Sequence, residues 1–216
     1  SFVDKKHGEI LPSPFFFFFI NNCFEKGLDV TNGGAYYNFS GILFIQVANV
    51  ADYLAVIKKA VFEDCIISPD KLMEILKSNF NNNEIIRQKL LTQYPKYGND
   101  VAWVDNLGLK WAKKFSGEVS SFKNARGGKC HTGFYTVSAH VPMGQNVGAT
   151  PDGRFSGAPL ADGGLSAVYG RDVNGPTALL KSVGRIDSML GSNGTLLNMK
   201  FLPSFFNTKE DIRKFS

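Results

Sequence analysis

The chain has 216 residues, 44% of them hydrophobic, and a formal net charge of +5; that is enough for one or two domains with a large buried core. Its 24 basic and 19 acidic residues are scattered, without the stripe of Lys and Arg interleaved with aromatics that marks a nucleic-acid binder, so nucleic acid is not an expected partner. The most hydrophobic run, Phe15 to Ile20, is far shorter than the ~20 residues a membrane span requires, and Ser1 to Ile10 is too polar for a secretory signal.

Cys23, Cys65 and Cys130 are widely spaced, with no Cys-x-x-Cys pair. An odd cysteine number without secretory signals fits a reducing cytoplasm, the expected location, better than a disulfide framework. Cys130-His131 has no second pair at a ligand spacing, so no metal site is expected.

In chain order, Pro12 and Pro14 before Phe15–Ile20 and Asn21-Asn22 after it predict a short buried element. Val50, Leu54, Ile57 and Val61 recur at helical spacing after Asn49, a candidate cap. Ser68-Pro69-Asp70 is a strong helix start, with a capping serine, a first-turn proline and an acid near the N-terminus. Leu72, Ile75, Leu76 and Phe80 form the apolar stripe of that helix. Ile85, Ile86 and Leu90 predict a short helix. Asn99 can cap a longer one with Val104, Leu107, Trp111 and Phe115.

From Gly133 to Val141 the period changes to two: Tyr135, Val137, Ala139 and Val141 alternate with Phe134, Thr136, Ser138 and His140, which predicts a strand. A helix from Pro176, ending at Gly191, and a second strand over Thr195 to Phe201 come next. Thr208-Lys-Glu-Asp211 opens a last helix, yet the sequence stops at Ser216. With Ser1 rather than Met at the start, the chain reads as a fragment of something longer. Strands separated by helices give an α/β layer or barrel.

Gly144 to Gly170 holds seven glycines in 27 residues, too many for a regular element. It matches neither Gly-x-x-x-x-Gly-Lys-Ser/Thr nor Gly-x-Gly-x-x-Gly entering a helix, so it is not read as a nucleotide cradle. Asp152, Arg154, Asp162 and Asp172 are expected to tie these loops together by side-chain to backbone bonds and ion pairs.

Several blocks stand in a fixed order: Asn22-Cys-Phe-Glu-Lys-Gly27, Gly33-Gly-Ala-Tyr-Tyr-Asn-Phe-Ser-Gly41, Val47-Ala-Asn-Val-Ala-Asp52, Pro95-Lys-Tyr-Gly-Asn-Asp100, Arg126-Gly-Gly128 and Ala149-Thr-Pro-Asp-Gly-Arg154 through Lys200. Together they resemble the glycyl radical enzymes, the pyruvate formate-lyase family, and look closer to its B12-independent dehydratase and decarboxylase branches. The resemblance implies an α/β fold, the second half of a ten-stranded α/β barrel, with residues 1–216 a pyruvate formate-lyase-like segment.

It also implies the chemistry. A glycine α-carbon in an Arg-Val-x-Gly-Tyr-like motif stores a radical that a radical-SAM, iron–sulfur activating enzyme installs. A cysteine in a Gly-Cys-Val-Glu-Pro-like motif relays it as a thiyl that takes hydrogen from a small substrate. Neither motif occurs in this sequence, so the thiyl loop is expected upstream and the glycyl-radical domain downstream. No cofactor is expected on this chain itself. The expected partners are the small-molecule substrate, the activating enzyme and a second copy in a homodimer, without nucleic acid or membrane.

Cys23 with Glu25 imitates the cysteine–glutamate spacing, and a thiol and a carboxylate at i and i+2 could supply hydrogen abstraction and proton transfer. The family, however, carries a second, non-catalytic cysteine just before Gly33-Gly34, which makes Cys23 a buried small side chain. Ser138 and His140 are expected to share the less apolar strand face and to line the substrate cavity. Pro142, at a position that varies within the family, is expected to shape substrate choice.

Where the family reads Pro-Gln-Gly-Val-Gly-Val, this chain has Ile42-Leu-Phe-Ile-Gln46. If those glycines permit positive φ, Phe44 and Gln46 strain the turn. Two functions remain open on these grounds. One is a segment of a lyase or dehydratase, competent only within the complete polypeptide. The other is a truncated paralogue that binds or assembles without turnover.

Overall fold

The structure, a computed structural model, describes residues 2–215, apart from the side chains at 204, 205, 214 and 215. Three short helices come first: α1 (Phe2–Ile10), α2 (Pro14–Phe19) and α3 (Cys23–Lys26). Strand β1 (Ser40–Leu43) then leads into α4 (Val47–Val56), which continues as a π-helix through Ile57–Glu63. Helices α5 (Pro69–Lys77), α6 (Glu84–Thr92) and α7 (Ala102–Ser121) precede strand β2 (Cys130–Gly133). Then come α8 (His140–Gln145), α9 (Pro176–Gly184) and α10 (Lys209–Phe215).

The strands are parallel, with Gly41 opposite His131 and Leu43 opposite Gly133. A further parallel bridge joins Phe134 to Thr195. Helices α4 and α7 cover one face. Their shared core holds Val47, Ala51, Ala55, Val104, Ala112 and Phe134, all fully buried. Gly108 lets the two helices approach: a Cβ there would stand 3.0 Å from Val47 Cγ1. That closeness offsets the ~1 kcal/mol a glycine costs inside a helix.

The caps follow the sequence. Ser68 Oγ accepts from the Lys71 N–H at 3.2 Å, and Pro69 opens α5. At α10, Thr208 Oγ1 accepts from the Asp211 N–H while Asp211 Oδ2 accepts from the Thr208 N–H, a reciprocal box. Arg154 is buried and donates to the Val147 and Gly148 carbonyls, at 3.1 and 2.6 Å, tying its loop. Thr150 Oγ1 donates to Asp152 Oδ1, and Lys200 pairs with Asp162 at 2.6 Å.

Several expectations are corrected. Helix α4 starts at Val47, and Asn49 lies inside it, where its Oδ1 accepts from the Ala161 N–H. The Phe15–Ile20 run is not buried: Phe15 and Phe19 in α2 are 70% and 71% exposed. The strand expected over Gly133–Val141 ends at Gly133. The chain turns at residues 137–139, and Pro142 falls in the first turn of α8, where its missing N–H is no loss.

The strand expected over Thr195–Phe201 shrinks to the Thr195 bridge. Beyond it the backbone bonds a loop instead: Leu196 O accepts from Leu165 N–H, and Ser166 Oγ from Asn198 N–H. The strain anticipated before α4 is present at Gln46, whose φ is +80°, but not at Phe44, which does not have positive φ.

Candidate active site

Alternation along β2 and its extension decides what faces where. Thr132 and Phe134 are buried on the helix-covered side, Phe134 against Phe44. His131, Gly133 and Tyr135 therefore point to the opposite, uncovered face. On polarity alone, Phe134, Thr136, Ser138 and His140 belong on the cavity face, because they are the more polar set. The structure inverts this for Phe134, because its ring buries more apolar surface in the core than the polar neighbours lose.

On the uncovered face glycines make room for polar side chains. A Cβ on Gly133 would stand 2.6 Å from the Tyr135 ring, and one on Gly41 would strike the Asn193 amide. Tyr135 and Asn193 thus lie flat over the strands. Asn193 Nδ2 donates to the Tyr135 hydroxyl at 2.9 Å. Beside them His131 Nδ1 and Ser192 Oγ are 2.7 Å apart, and the His131 ring packs on Phe39 with centroids 3.9 Å apart.

The carboxyl end of β2, where open α/β sheets bind ligands, is a tight turn. Thr136 is buried, and its Oγ1 donates to the Asp162 carbonyl at 2.9 Å. Val137 comes next, at φ +52°. A β-branched residue there is a strained outlier that persists only when its surroundings impose it. Ser138 is exposed on the turn.

His140 is the first residue of α8, and its Nδ1 is buried with no partner among the described residues. Pro142 is exposed, and its carbonyl accepts from Asn146 Nδ2. Ser138, His140 and Pro142 are thus gathered at one strand end but do not share a strand face. Sequence reasoning does not single out Tyr135, Val137 or Asn193. The apolar bulk of Phe134, which belongs in a core, is the signal that turns Tyr135 toward the open side.

Cys23 opens α3 with its side chain fully buried, and burial followed by the charge of Asp29 pushes its thiol up. Its sulfur lies 2.9 Å from where a Cβ on Gly34 would stand, which fits glycine at that position. Glu25 is exposed and makes no hydrogen bond to Cys23.

Behind the site lies a buried charged group. Asp52 accepts from the Tyr97 N–H at 2.7 Å, and burial, then the Asp152 charge, pushes it up to about 8. Lys96 donates to the Leu90 and Tyr94 carbonyls, and burial pulls it down to about 8. Arg171 stands 3.7 Å from Asp152. Asp52 thus fastens α4 to the backbone at Tyr97, while Arg171 pairs with the Thr150–Arg154 loop at Asp152. Among the described residues no three His, Cys, Asp or Glu side chains converge as metal ligands, and no helix is long and apolar enough to cross a membrane.

A parallel sheet backed by helices on one face, with a strained turn and a polar network on the other, is consistent with one stretch of an α/β barrel wall. Residues 1–144 match the family Pyruvate formate lyase-like, and residues 161–216 match Glycine radical. The chain belongs to the glycyl radical enzymes of the pyruvate formate-lyase type and is a segment of their barrel.

It is 36% identical over 203 residues to the probable dehydratase YbiW of Escherichia coli, covering 90% of this chain and 25% of that protein. It is 34% identical to the trans-4-hydroxy-L-proline dehydratase of Clostridioides difficile, covering 90% of this chain and 24% of that protein. The glycerol-bound B12-independent glycerol dehydratase of Clostridium butyricum superposes with a TM-score of 0.91 at 43% identity. That match covers 99% of this chain and 27% of the other. The chain thus spans about a quarter of the length of these relatives.

Proposed function

We propose that this chain forms part of the barrel wall and substrate pocket of a glycyl radical dehydratase or lyase, in which a thiyl radical takes hydrogen from a small hydroxylated organic molecule. The observation that carries the reading is the turn after β2, where Val137 is held at φ +52° beside the buried, unpartnered Nδ1 of His140. Strain of this kind is kept where a backbone must present atoms to a ligand. The likeness to dehydratases, one solved with glycerol bound, supports the substrate class.

In this reading Ser138, His140 and Pro142 border the pocket at the strand ends, joined by Val137 and Tyr135. The buried Cys23 and exposed Glu25 serve packing and solvation, not hydrogen transfer. The thiyl cysteine and radical glycine are supplied by parts of the complete polypeptide outside these residues. That polypeptide is a cytoplasmic homodimer activated by a radical-SAM enzyme.

The role of this chain's own residues is to shape and dry the cavity. His140 Nδ1, buried with no protein partner among the described residues, bonds substrate or an ordered water once a small shift of the turn exposes it. Excluding bulk solvent protects a carbon radical from quenching and strengthens each polar contact.

The test is anaerobic activation of the complete polypeptide. A glycine-centred EPR doublet, and consumption of a diol or hydroxy acid that falls when His140 is changed to Ala, would support the reading. An activated radical with no turnover of any hydroxylated substrate would count against the substrate class, and no radical at all against the mechanism.

A further inference from the structure

The four polar side chains over the glycine floor are not explained by packing. Ser192 is exposed, and His131, Tyr135 and Asn193 are half-buried. Two of the contacts among them are hydrogen bonds at 2.7 and 2.9 Å, so the groups are already ordered. His131 is braced twice, by Ser192 at Nδ1 and by the Phe39 ring on its face. Its Nε2 makes no hydrogen bond to any described residue. Gly41, directly opposite His131 on β1, leaves room for the Asn193 amide, which stands where its Cβ would be and lies beside the ring.

We propose that His131, held by Ser192, is a specificity-determining contact for an uncharged polyol lying on the open face against the Asn193 and Tyr135 side chains that cover Gly41 and Gly133. The chemistry of the set picks the class. Imidazole, hydroxyl, amide and phenol each both donate and accept, as alcohol groups do. None is a fixed cation of the kind that would favour a carboxylate, sulfonate or phosphate. The spacing fits as well: alternate residues on a strand face stand roughly 7 Å apart, about the reach of a three-carbon polyol.

The inference rests on the reading that this face is the interior of a radical enzyme's barrel. It goes beyond that reading by naming His131 and Ser192, which lie away from the Val137–Pro142 turn.

The test uses the complete polypeptide, activated anaerobically, with glycerol and propane-1,2-diol as neutral probes and glycolate as the anionic one. His131→Phe keeps the stack on Phe39 but removes both nitrogens. It is expected to raise KM for the diols about tenfold or more while kcat and the glycyl EPR amplitude change little, the pattern of lost ground-state contact. Ser192→Ala should show a smaller rise, and His131→Gln should recover part of the loss. KM within about twofold of the parent in His131→Phe would overturn the proposal, as would a parent that prefers glycolate.

Should the parent turn over none of the probes, the ring nitrogen resonances of labelled His131 are titrated with glycerol. Shifts absent with glycolate retain the polyol contact while the radical reading fails. No shift with glycerol overturns the contact itself.

Discussion

The Tyr97 backbone N–H donates a 2.7 Å hydrogen bond to Asp52 Oδ1, while Asp52 Oδ2 has no partner among the described residues. This half-satisfied carboxyl, facing Asp152, Lys96 and Arg171, makes stability depend on pH. Unfolded, Asp52 titrates near 3.8; folded, it keeps its proton to about 8. The folded state binds that proton more tightly, so the contribution is complete below the lower value and is lost as pH rises through the upper one. Lys96 falls from 10.5 to about 8 on folding, so its effect has the opposite slope: stability recovers with pH above about 8. Denaturant midpoints should therefore pass through a minimum near pH 8, and Asp52→Asn should flatten the descending limb. A profile unchanged by the substitution would show that the proton sits elsewhere.

Gly128 and Gly164 are expected to tolerate no side chain. A Cβ at Gly128 would stand 1.5 Å from the Asn38 carbonyl oxygen, and one at Gly164 would stand 1.8 Å from that of Phe134. Both obstacles are backbone, which cannot swing aside. Gly164→Ala should push the Phe134–Thr195 bridge apart and destabilise the fold by about 3 kcal/mol or more, the range of severe overpacking. Thermal unfolding of each variant checks this; a loss under about 1 kcal/mol would mean the loop can step back.

Gln46 should yield the opposite result. It sits at φ +80° before α4, and both its amide atoms are buried without partners among the described residues. Gln46→Gly removes the backbone strain and two unmet hydrogen-bonding groups, at the cost of some packing. A net gain of about 1–2 kcal/mol is expected, read as a higher denaturant midpoint. A lower midpoint would show that side-chain volume outweighs strain at this position.

The helices are legible wherever local chemistry suffices. Ser68-Pro69-Asp70 and Thr208-x-x-Asp211 carry their own caps, so no distant contact is needed to place them. The site is less legible because its determinants are remote in sequence. Whether Phe134 or Tyr135 faces the uncovered side depends on Phe44 lying behind one and Asn193 beside the other. Alternation gives the period and leaves the parity undecided, and polarity alone does not show that Phe134 and Thr136 are the side chains the helices cover. The end of β2 is hidden for a similar reason. Thr136 is drawn out of line by the Asp162 carbonyl, and the turn at Val137 is closed by the Ala139 N–H donating to the Thr136 carbonyl. Asn49 looks like a cap because its partner, Ala161, lies far along the chain.

Val137 offers a direct test of whether the turn after β2 serves stability or function. Its side chain is 74% exposed, so it contributes little to the core, yet its φ of +52° costs on the order of 1–2 kcal/mol for a β-branched residue. If the turn were only a connection, Val137→Gly would stabilise the protein and leave turnover alone. If the turn presents atoms to substrate, the same substitution should stabilise by about 1 kcal/mol and lower kcat/KM by about tenfold or more. The loss would arise because glycine frees the backbone that fixes Ser138 and His140 and removes an apolar wall. The readouts are the denaturant midpoint and kcat/KM of the activated complete polypeptide, with the glycyl EPR signal as the control for activation. A variant more stable and fully active would assign the strain to no function, and the pocket would then have to be built from the polar face of His131 and Tyr135 alone.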